Sequence, residues 1–373
     1  MADSYDVIVV GGGAIGCALA YYLSRAGARV TIVEAAHPGA GASSAAAGML
    51  APLAEAHEGG PALDLGLESL RLFPELVAEL EGSTGIRPDF DRCGILRIAT
   101  TLEGATALQG ARGHSPQALQ FLEAADLRRL EPALTPQALC GTLSIQEAQV
   151  SAPRFTQALA AAASQRGAVL QSGEPVVGLL RQGERVLGVV TRQGELRAPQ
   201  VVVAAGAWTG TLLGQLLGQP LPVFPRKGQA LAVGASRAPL HHIVFAEGGY
   251  LTPKADGSLL VGATDEDAGF DTENTVEGVR GLLGFAHLTV PALAHAPIRQ
   301  MWAGLRPGSG DGLPILGPVQ GALGLWVASG HYRNGILLAP ITGKLMAEWL
   351  LEGRPSVSLE PFAPSRFATP TRP

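Results

Sequence analysis

The sequence predicts an α/β fold, elaborated as α+β, in which a parallel-sheet domain carries an inserted antiparallel-sheet domain. Three observations support this prediction: a strand, glycine-rich turn and helix open the chain, apolar strands alternate with helices up to residue 205 and again after 324, and a β-rich stretch separates them at 223–306. The 373 residues are enough for two domains.

The composition is that of a packed protein with a mildly acidic surface. Basic residues number 27 against 32 acidic ones, which gives a net charge of −5, and only 16% of residues are charged. Because binding to phosphate backbones needs clustered Lys and Arg, a nucleic-acid partner is disfavoured. The low charge favours a homo-oligomer, and the mean hydropathy of +0.22 leaves room for either a large subunit interface or a monotopic membrane patch.

Targeting and metal-binding signals are missing from the sequence. The opening MADSYDVIVV lacks the basic and long apolar regions of a secretory signal, and no apolar run reaches the roughly 18 residues that span a bilayer, so we expect a cytoplasmic protein without a transmembrane segment. Cys17, Cys93 and Cys140 lie far apart and form no CxxC pair, and His241-His242 has no ligand spacing. We therefore expect no disulfide and no metal site, with the two histidines in a solvated loop.

The first half of the chain alternates strands and helices. YDVIVV (5–10) and ARVTIVE (28–34) are apolar runs typical of strands buried on both faces, and the segment between them has apolar residues at helical spacing before Gly27. The same patterns predict helices at 62–81, 116–132 and 153–170, and strands at 91–100, 174–180, 186–191 and 201–205.

The second half changes to antiparallel patterns and then returns to the first. Turns such as Asp256-Gly257 join strands between 223 and 306, and GLWVASG (324–330) restores a buried strand that a helix follows. We predict one domain from residues 1–82, 150–222 and 308–373, and a second from 83–149 and 223–307. The end of the chain beyond Pro355 is expected to be loosely ordered.

Gly11-x-Gly13-x-x-Gly16 has the context of a Rossmann-type dinucleotide site. It follows a strand, opens a helix, and is followed by Glu34 at the end of the next strand, 18 residues past Gly16. The glycines permit a tight turn, close approach of a pyrophosphate and close helix packing, while Glu34 would accept hydrogen bonds from a ribose. The small-residue tract SSAAAGML (43–50) favours FAD over NAD, because a flavin buried lengthwise needs thin walls.

Several segments together resemble the D-amino acid oxidase-like FAD-dependent oxidoreductases, in particular the glycine oxidase group associated with thiamine biosynthesis. The matching segments occur in that family's order along the whole chain: GGGAIG, Glu34, SAAAGML, VVVAAGAW, VGAT, WAGLRP and GHYRNGILLAP. The resemblance implies FAD as the cofactor, an FAD-binding domain and a substrate-binding domain. The residues that it and the glycine motif assign to cofactor binding are Gly11, Gly13, Ala14, Ile15, Gly16, Glu34, Ala35, Ala42, Ser43, Ala47, Gly48, Met49, Val176, His331, Tyr332, Arg333, Asn334, Gly335, Ile336 and Leu337.

Three further residues are expected to position a substrate carboxylate. Arg306 lies between an apolar strand and a proline, where its guanidinium either forms a structural ion pair or grips a carboxylate through two charge-assisted bonds; the resemblance favours the second role. Arg333 would be a weaker second contact and Tyr250 a hydroxyl donor, although Tyr250 also fits a core aromatic. Lys227 is expected at the surface or a domain junction and is given no role.

The resemblance implies oxidative deamination of glycine, sarcosine, D-alanine or similar amines, with hydride transfer to flavin N5 and dioxygen reduced to hydrogen peroxide. No general base is assigned. The alternatives are a D-amino acid dehydrogenase that passes electrons to a quinone and a non-catalytic or RNA-modifying flavoprotein. Asp265 and Gly248-Gly249 depart from the glycine oxidase pattern, and if Asp265 faces the pocket it would favour a cationic or larger substrate. The preferred amino acid and any covalent link to FAD stay open.

Overall fold

A computed structural model of the chain describes residues 5–55, 59–114, 119–218, 220–235 and 240–368, with only the backbone described at 111–114. Its strands, in chain order, are β1 Val7–Val10, β2 Val30–Glu34, β3 Met49–Leu50, β4 Ile95–Ala99, β5 Gln120–Glu123, β6 Cys140–Ser144, β7 Ala148–Gln149, β8 Val169–Ser172, β9 Val176–Gln182, β10 Arg185–Thr191, β11 Glu195–Arg197, β12 Gln200–Val203, β13 Val223–Gly234, β14 Ile243–Ala246, β15 Gly249–Pro253, β16 Ser258–Gly262, β17 Ile298–Ser309, β18 Ile315–Pro318 and β19 Leu325–Ser329.

Ten α-helices lie between these strands in the described ranges. They are α1 Ala14–Arg25, α2 Ala42–Ala45, α3 Pro52–Glu55, α4 Pro61–Thr84, α5 Leu102–His114, α6 Ala124–Leu130, α7 Ala152–Gln165, α8 Thr209–Leu217, α9 Val276–Thr289 and α10 Gly335–Glu352. None of the described helices has the length and apolar character needed to cross a membrane.

The first sheet has six strands in the order β18, β19, β12, β1, β2, β8, and all neighbours are parallel except β18 and β19. Its central strand β1 is buried along its whole length because both faces of the sheet are covered. Val9 packs with α1, α4, α7 and α10 on one face, and Ile8 packs with β10 and α8 on the other. This sheet is the Rossmann-type part of the predicted α/β fold.

The second sheet has eight strands in the order β17, β13, β16, β15, β14, β4, β6, β5. Neighbours are antiparallel except β14 and β4, and α9 packs on the sheet through Leu282 and Ala286. Its strands come from residues 95–144 and 223–309, whereas those of the first sheet come from 7–34, 169–203 and 315–329. The chain therefore passes back and forth between the two sheets. The residue boundaries given above for the two domains stay a prediction.

Two local expectations are wrong. The predicted helix at 116–132 is instead the strand β5 followed by the short α6, while residues 115–118 lie outside the described residues. The region after Pro355 is packed up to residue 368: Leu359 and Phe362 are buried against the core, and Arg366 pairs with Asp311 at 2.7 Å. Burial of Leu359 and Phe362 and the ion pair of Arg366 therefore hold in place a segment that was expected to be loosely ordered.

Candidate active site

A cavity of about 640 Å³ lies at the carboxyl ends of the parallel strands, on the side that faces the second sheet. Gly11 follows β1, Glu34 ends β2, Ala204 follows β12 and His331 follows β19, and all four line the cavity. Tyr250 from β15 and Arg306 from β17 line it from the other side. Open parallel sheets bind ligands at this edge, so the position alone indicates a ligand site.

The turn between β1 and α1 brings bare backbone to the cavity. Gly11 has φ +111°, and a Cβ there would lie 2.4 Å from the carbonyl oxygen of Ala204. A Cβ on Gly16 would lie 2.0 Å from the carbonyl oxygen of Gly11, so this glycine lets α1 pack closely on the turn. The Ala14 N–H at the start of α1 donates to Ser43 Oγ at 2.9 Å. The helix N-terminus and a hydroxyl therefore meet where a phosphate would bind.

Glu34 stands at the end of β2 as the sequence predicts. One carboxylate oxygen accepts the Gly12 N–H at 2.6 Å, and the other accepts the Ala36 N–H at 2.8 Å. These bonds fix the carboxylate at the cavity wall, where it has the position of a ribose acceptor.

A second helix N-terminus, that of α10, opens into the same cavity. Asn334, Gly335 and Ile336 line it there, and no side chain caps this end of the helix. His331 precedes it and is 3% exposed; its Nε2 lies 3.0 Å from Thr342 Oγ1, while Nδ1 has no partner among the described residues. Burial lowers the pKa of His331 to about 3, so the ring is neutral at pH 7.

These features fit an extended dinucleotide. The cavity joins two helix N-termini, and its walls between them are thin: a Cβ on Gly304 would lie 2.4 Å from the Ala45 Cβ. The unpartnered nitrogen of His331 is a polar atom that a bound ligand would satisfy. Of the residues predicted to bind the cofactor, all line the cavity except Gly16, which packs α1 on its turn, and Leu337, whose side chain lies in the core.

Arg306 lies at the end of the cavity that faces the second sheet. Its side chain is 18% exposed, and Nη1 donates to the Thr264 carbonyl oxygen at 3.0 Å. The guanidinium lies over Gly228, where a Cβ would come within 2.3 Å of Nη2. The nearest carboxylate oxygen, on Asp265, is 4.0 Å from Nη1. Arg306 is therefore fixed by backbone groups and keeps hydrogen-bonding capacity towards the cavity.

Tyr250 is buried beside Arg306 and packs on Phe245, with ring centroids 5.6 Å apart. Burial raises the pKa of its hydroxyl, and the charges of Arg306 and Arg333 offset part of this effect. The hydroxyl therefore stays protonated at neutral pH, as a hydrogen-bond donor must be.

Arg333 also reaches the cavity, but its guanidinium is occupied. It forms a two-point ion pair with Glu55, with Nη2 to Oε1 at 3.0 Å and Nε to Oε2 at 2.9 Å. Glu55 ends α3, whose Leu53 and Ala54 N–H groups donate to the buried carboxylate of Glu147 at 2.7 and 3.0 Å. Sequence reasoning missed both acids, because 278 positions separate Glu55 from Arg333 and no motif connects them.

Asp265 does not line the cavity, although it lies at its rim. One oxygen accepts from Arg226 Nε and lies 3.0 Å from both Nε and Nη2, and the other accepts the Tyr332 hydroxyl. Its charge is therefore shared with an arginine that the sequence analysis did not single out. The cavity itself receives no free carboxylate from this position.

The structure limits or corrects two expectations about charged residues. Lys227, expected at the surface or a domain junction, is 1% exposed and pairs with Asp271, with Glu266 3.9 Å away, so the surface position is excluded. His242 does not lie in a solvated loop, since its Nδ1 is 2.7 Å from the buried Glu131; His241 is exposed. Among the described residues no cluster of His, Cys, Asp and Glu has the size of a metal site.

Two further residues near the cofactor-binding part of the cavity were given no role by the sequence analysis, although Trp208 ends the segment VVVAAGAW. Trp208 lines the cavity and stacks on Phe270 with ring centroids 5.6 Å apart. Lys254 donates to the Ala47 carbonyl at 2.6 Å and to Gln149 Oε1 at 2.8 Å, and burial lowers its pKa to about 8. Lys254 thus connects the segment SSAAAGML (43–50) to the second sheet through its hydrogen bond to Ala47.

The fold and the cavity together are those of a dinucleotide-dependent oxidoreductase, with Arg306 beside the part of the cavity that would hold the dinucleotide. The model of the DAO family, described as FAD dependent oxidoreductase, matches residues 6–349, and the chain belongs to this family. FAD is accordingly its cofactor.

Known proteins similar to the chain agree with this assignment. The glycine oxidase of Geobacillus kaustophilus is 40% identical over 372 residues, which cover 98% of each chain. Its crystal structure matches with a TM-score of 0.94 and 38% identity over 98% of this chain and all of that one. The bifunctional protein ThiO/ThiG of Trichormus variabilis is 40% identical over 370 residues, and the chain spans only 55% of the length of that relative.

Proposed function

We propose that the protein is an oxidase of glycine and other small amines and D-amino acids. In the net reaction, glycine, water and dioxygen give glyoxylate, ammonia and hydrogen peroxide. The observation that carries the proposal is the state of Arg306, whose guanidinium is the only one in the described cavity lining without a carboxylate at hydrogen-bond distance. The similarity to glycine oxidases supports the same conclusion.

Arg306 would hold the substrate carboxylate. Its charge, its restricted exposure and its free N–H groups suit a charge-assisted bond, and the bond to Thr264 fixes its direction. The protonated hydroxyl of Tyr250 would donate to the same carboxylate. Two such contacts restrict rotation of the small substrate and present one face of its Cα to the cofactor tract.

No side chain in the described lining is set up to remove the α-proton. Burial lowers the pKa of His331 to about 3, Glu55 is engaged by Arg333, and both oxygens of Glu34 accept backbone N–H groups. The amine lone pair can instead form the C=N bond as hydride leaves Cα, and water then hydrolyses the imine. The residues therefore act by orienting the substrate and excluding bulk water.

FAD, when bound, supplies the two-electron acceptor for this oxidation. Gly11, Gly13, Ser43 and Glu34 would hold its nucleotide part. The N–H groups at the start of α10 would hold the other end and stabilise negative charge there.

Anaerobic mixing tests the proposal. The FAD-loaded protein is mixed with glycine, sarcosine and D-alanine, the loss of flavin absorbance is followed, and air is then admitted while peroxide is measured. We expect bleaching by at least one of these compounds and stoichiometric peroxide on reoxidation. No bleaching by any amino acid contradicts the proposal, and bleaching that air does not reverse, but a quinone does, identifies a dehydrogenase.

A further inference from the structure

Two strands of the second sheet place two arginines directly opposite each other. In the antiparallel pair of β13 and β17, Arg226 is the register partner of Arg306. Like charges in this relation repel each other, and the repulsion is strongest when the side chains leave water. A compensating anion is therefore needed at this point of the sheet.

Asp265 is that anion. One of its oxygens, Oδ1, lies 3.0 Å from Arg226 Nη2 and 4.0 Å from Arg306 Nη1, while Oδ2 accepts from the Tyr332 hydroxyl. Burial opposes ionisation, but the hydrogen bonds from Tyr332 and Arg226 outweigh it and lower the pKa of Asp265. The carboxylate is therefore charged, and it neutralises Arg226 in preference to Arg306.

Arg333 and Arg226 are neutralised by different carboxylates. Glu55 pairs with Arg333 and Asp265 pairs with Arg226, whereas the nearest carboxylate oxygen to Arg306 is 4.0 Å away, so Arg306 is the least compensated of the three. A carboxylate bound on Arg306 completes the charge balance. A second negative charge on the substrate would meet Asp265 or Glu55 and no cation.

We propose that Asp265 determines specificity by masking Arg226, so that the site accepts amino acids with one carboxylate and rejects dicarboxylic ones. The expected change in kcat/KM rests on the proposed function, whereas the expected change in ligand binding rests on the geometry alone. It replaces the expectation that Asp265 recruits a cationic substrate, because the charge of this carboxylate is already used.

Asp265→Asn tests the inference on the FAD-loaded protein. The asparagine keeps the size of the side chain and an acceptor for Tyr332 but unmasks Arg226. Acetate and malonate are non-oxidisable probes of one and two carboxylates, and their dissociation constants are read from the change in flavin absorbance. In the variant we expect the affinity for malonate relative to acetate to rise at least about fivefold. We expect kcat/KM for iminodiacetate relative to glycine to rise similarly.

Two control variants separate the masking role from general effects. In Arg226→Gln/Asp265→Asn the second cation is gone as well, so the malonate-to-acetate ratio should return to within about twofold of the wild-type value. Glu195→Gln makes the same change in net charge at an exposed ion pair with Arg197 on β11, which belongs to neither of the two large sheets, and should leave the ratio unchanged.

The outcomes distinguish the two proposals. An unchanged ratio in Asp265→Asn, or an equal gain in the double variant, overturns the masking role. Should no amino acid bleach the wild-type flavin while the malonate ratio shifts as expected, the oxidase proposal fails and the role of Asp265 stands.

Discussion

Arg306 and Arg333 line the cavity, Arg226 lies opposite Arg306 in the neighbouring strand, and the chemistry of each arginine is decided by what it touches. Arg226 and Arg333 have carboxylate partners at hydrogen-bond distance, and Arg306 has carbonyl oxygens. Net charge at the site is therefore set by Asp265 and Glu55 as much as by the arginines. The segment WAGLRP, through the family resemblance, predicts a role for Arg306, but the acids that pair with its neighbours come from distant segments, and only the fold brings them together.

At the residue scale, removal of the guanidinium of Arg306 should abolish substrate positioning. For Arg306→Ala we expect a loss of about 2 to 4 kcal/mol in transition-state stabilisation, since a partly buried charge-assisted contact disappears. The measurement is kcat/KM for glycine from initial rates. FAD content, read from the absorbance of the purified protein, should stay unchanged. Arg306→Lys keeps the charge but not the planar fork, and we expect it to recover only part of the loss.

Near-normal turnover of Arg306→Ala would contradict the assignment. So would a parallel loss of FAD and activity, because that result places the residue in cofactor binding.

Glu147 carries a prediction about pH at the same scale. Burial raises the pKa of this carboxyl from 4.5 to about 7, against the opposing bonds from Ala54 and Leu53. The folded state therefore holds a proton that the unfolded state loses between these pH values, and stability falls as pH rises through this window. Glu147→Gln keeps an acceptor for the two N–H groups and removes the titration. We expect the difference in unfolding free energy, variant minus wild type, to be about 2 to 3 kcal/mol larger at pH 8 than at pH 4.

Chemical denaturation at both pH values measures this difference. Glu195→Gln, an exposed carboxylate, serves as the control and should show no such trend. A stability difference between Glu147→Gln and wild type that is the same at pH 4 and pH 8 would show that Glu147 is ionised in the fold.

At the scale of elements, the β1–α1 turn was the most predictable part of the molecule. Gly16 packs on Gly11, which is only five residues away, whereas Gly11 adopts positive φ against Ala204 from a distant strand end. The glycine motif predicts both positions, but only the first contact is local in sequence. The predicted helix at 116–132 failed because tertiary pairing decides there: β5 forms an edge ladder with β6, which overrides the helical pattern.

Gly16→Ala should separate α1 from its turn. The added Cβ would lie 2.0 Å from a backbone oxygen that cannot move aside, so we expect a loss of about 1 to 3 kcal/mol in unfolding free energy and weaker FAD retention. The matched control is Gly82→Ala in α4, where no atom lies within 4 Å and alanine favours the helix by roughly 0.5 to 1 kcal/mol.

Thermal unfolding and FAD release during dialysis measure both variants. A Gly16→Ala protein as stable as Gly82→Ala would mean that the helix and turn are looser than the geometry indicates.

At the scale of the whole molecule, the sequence predicts the existence of two sheets but not how they meet. The apolar strands and the change of texture at residue 223 indicate a parallel and an antiparallel part. The strand order, and the cavity that lies between Gly11 and Arg306, depend on pairings across more than a hundred residues, such as β1 with β12. Family resemblance predicts the site residues, and the structure shows which of them line the cavity and what partners they have.

The cofactor should stabilise the whole molecule because its cavity joins both sheets. Removal of FAD is expected to lower the Tm, and readdition at about 100 times its Kd should restore about 2.7 kcal/mol. Calorimetry of the apoprotein with increasing FAD measures the effect, with free adenosine as a control for the nucleotide half. A Tm that does not depend on FAD would contradict binding of FAD to the folded chain.

The position of α10 has a consequence for how the molecule is made. A Cβ on Gly343 would lie 2.7 Å from the carbonyl carbon of Ala18, so the last long helix docks directly on the first one. The cradle for the cofactor therefore closes only when β19 and α10 have left the ribosome, after more than three hundred residues have been synthesised. Until then the apolar face of α1 that α10 covers has no such cover, and the cofactor cavity lacks the wall that His331 to Ile336 provide.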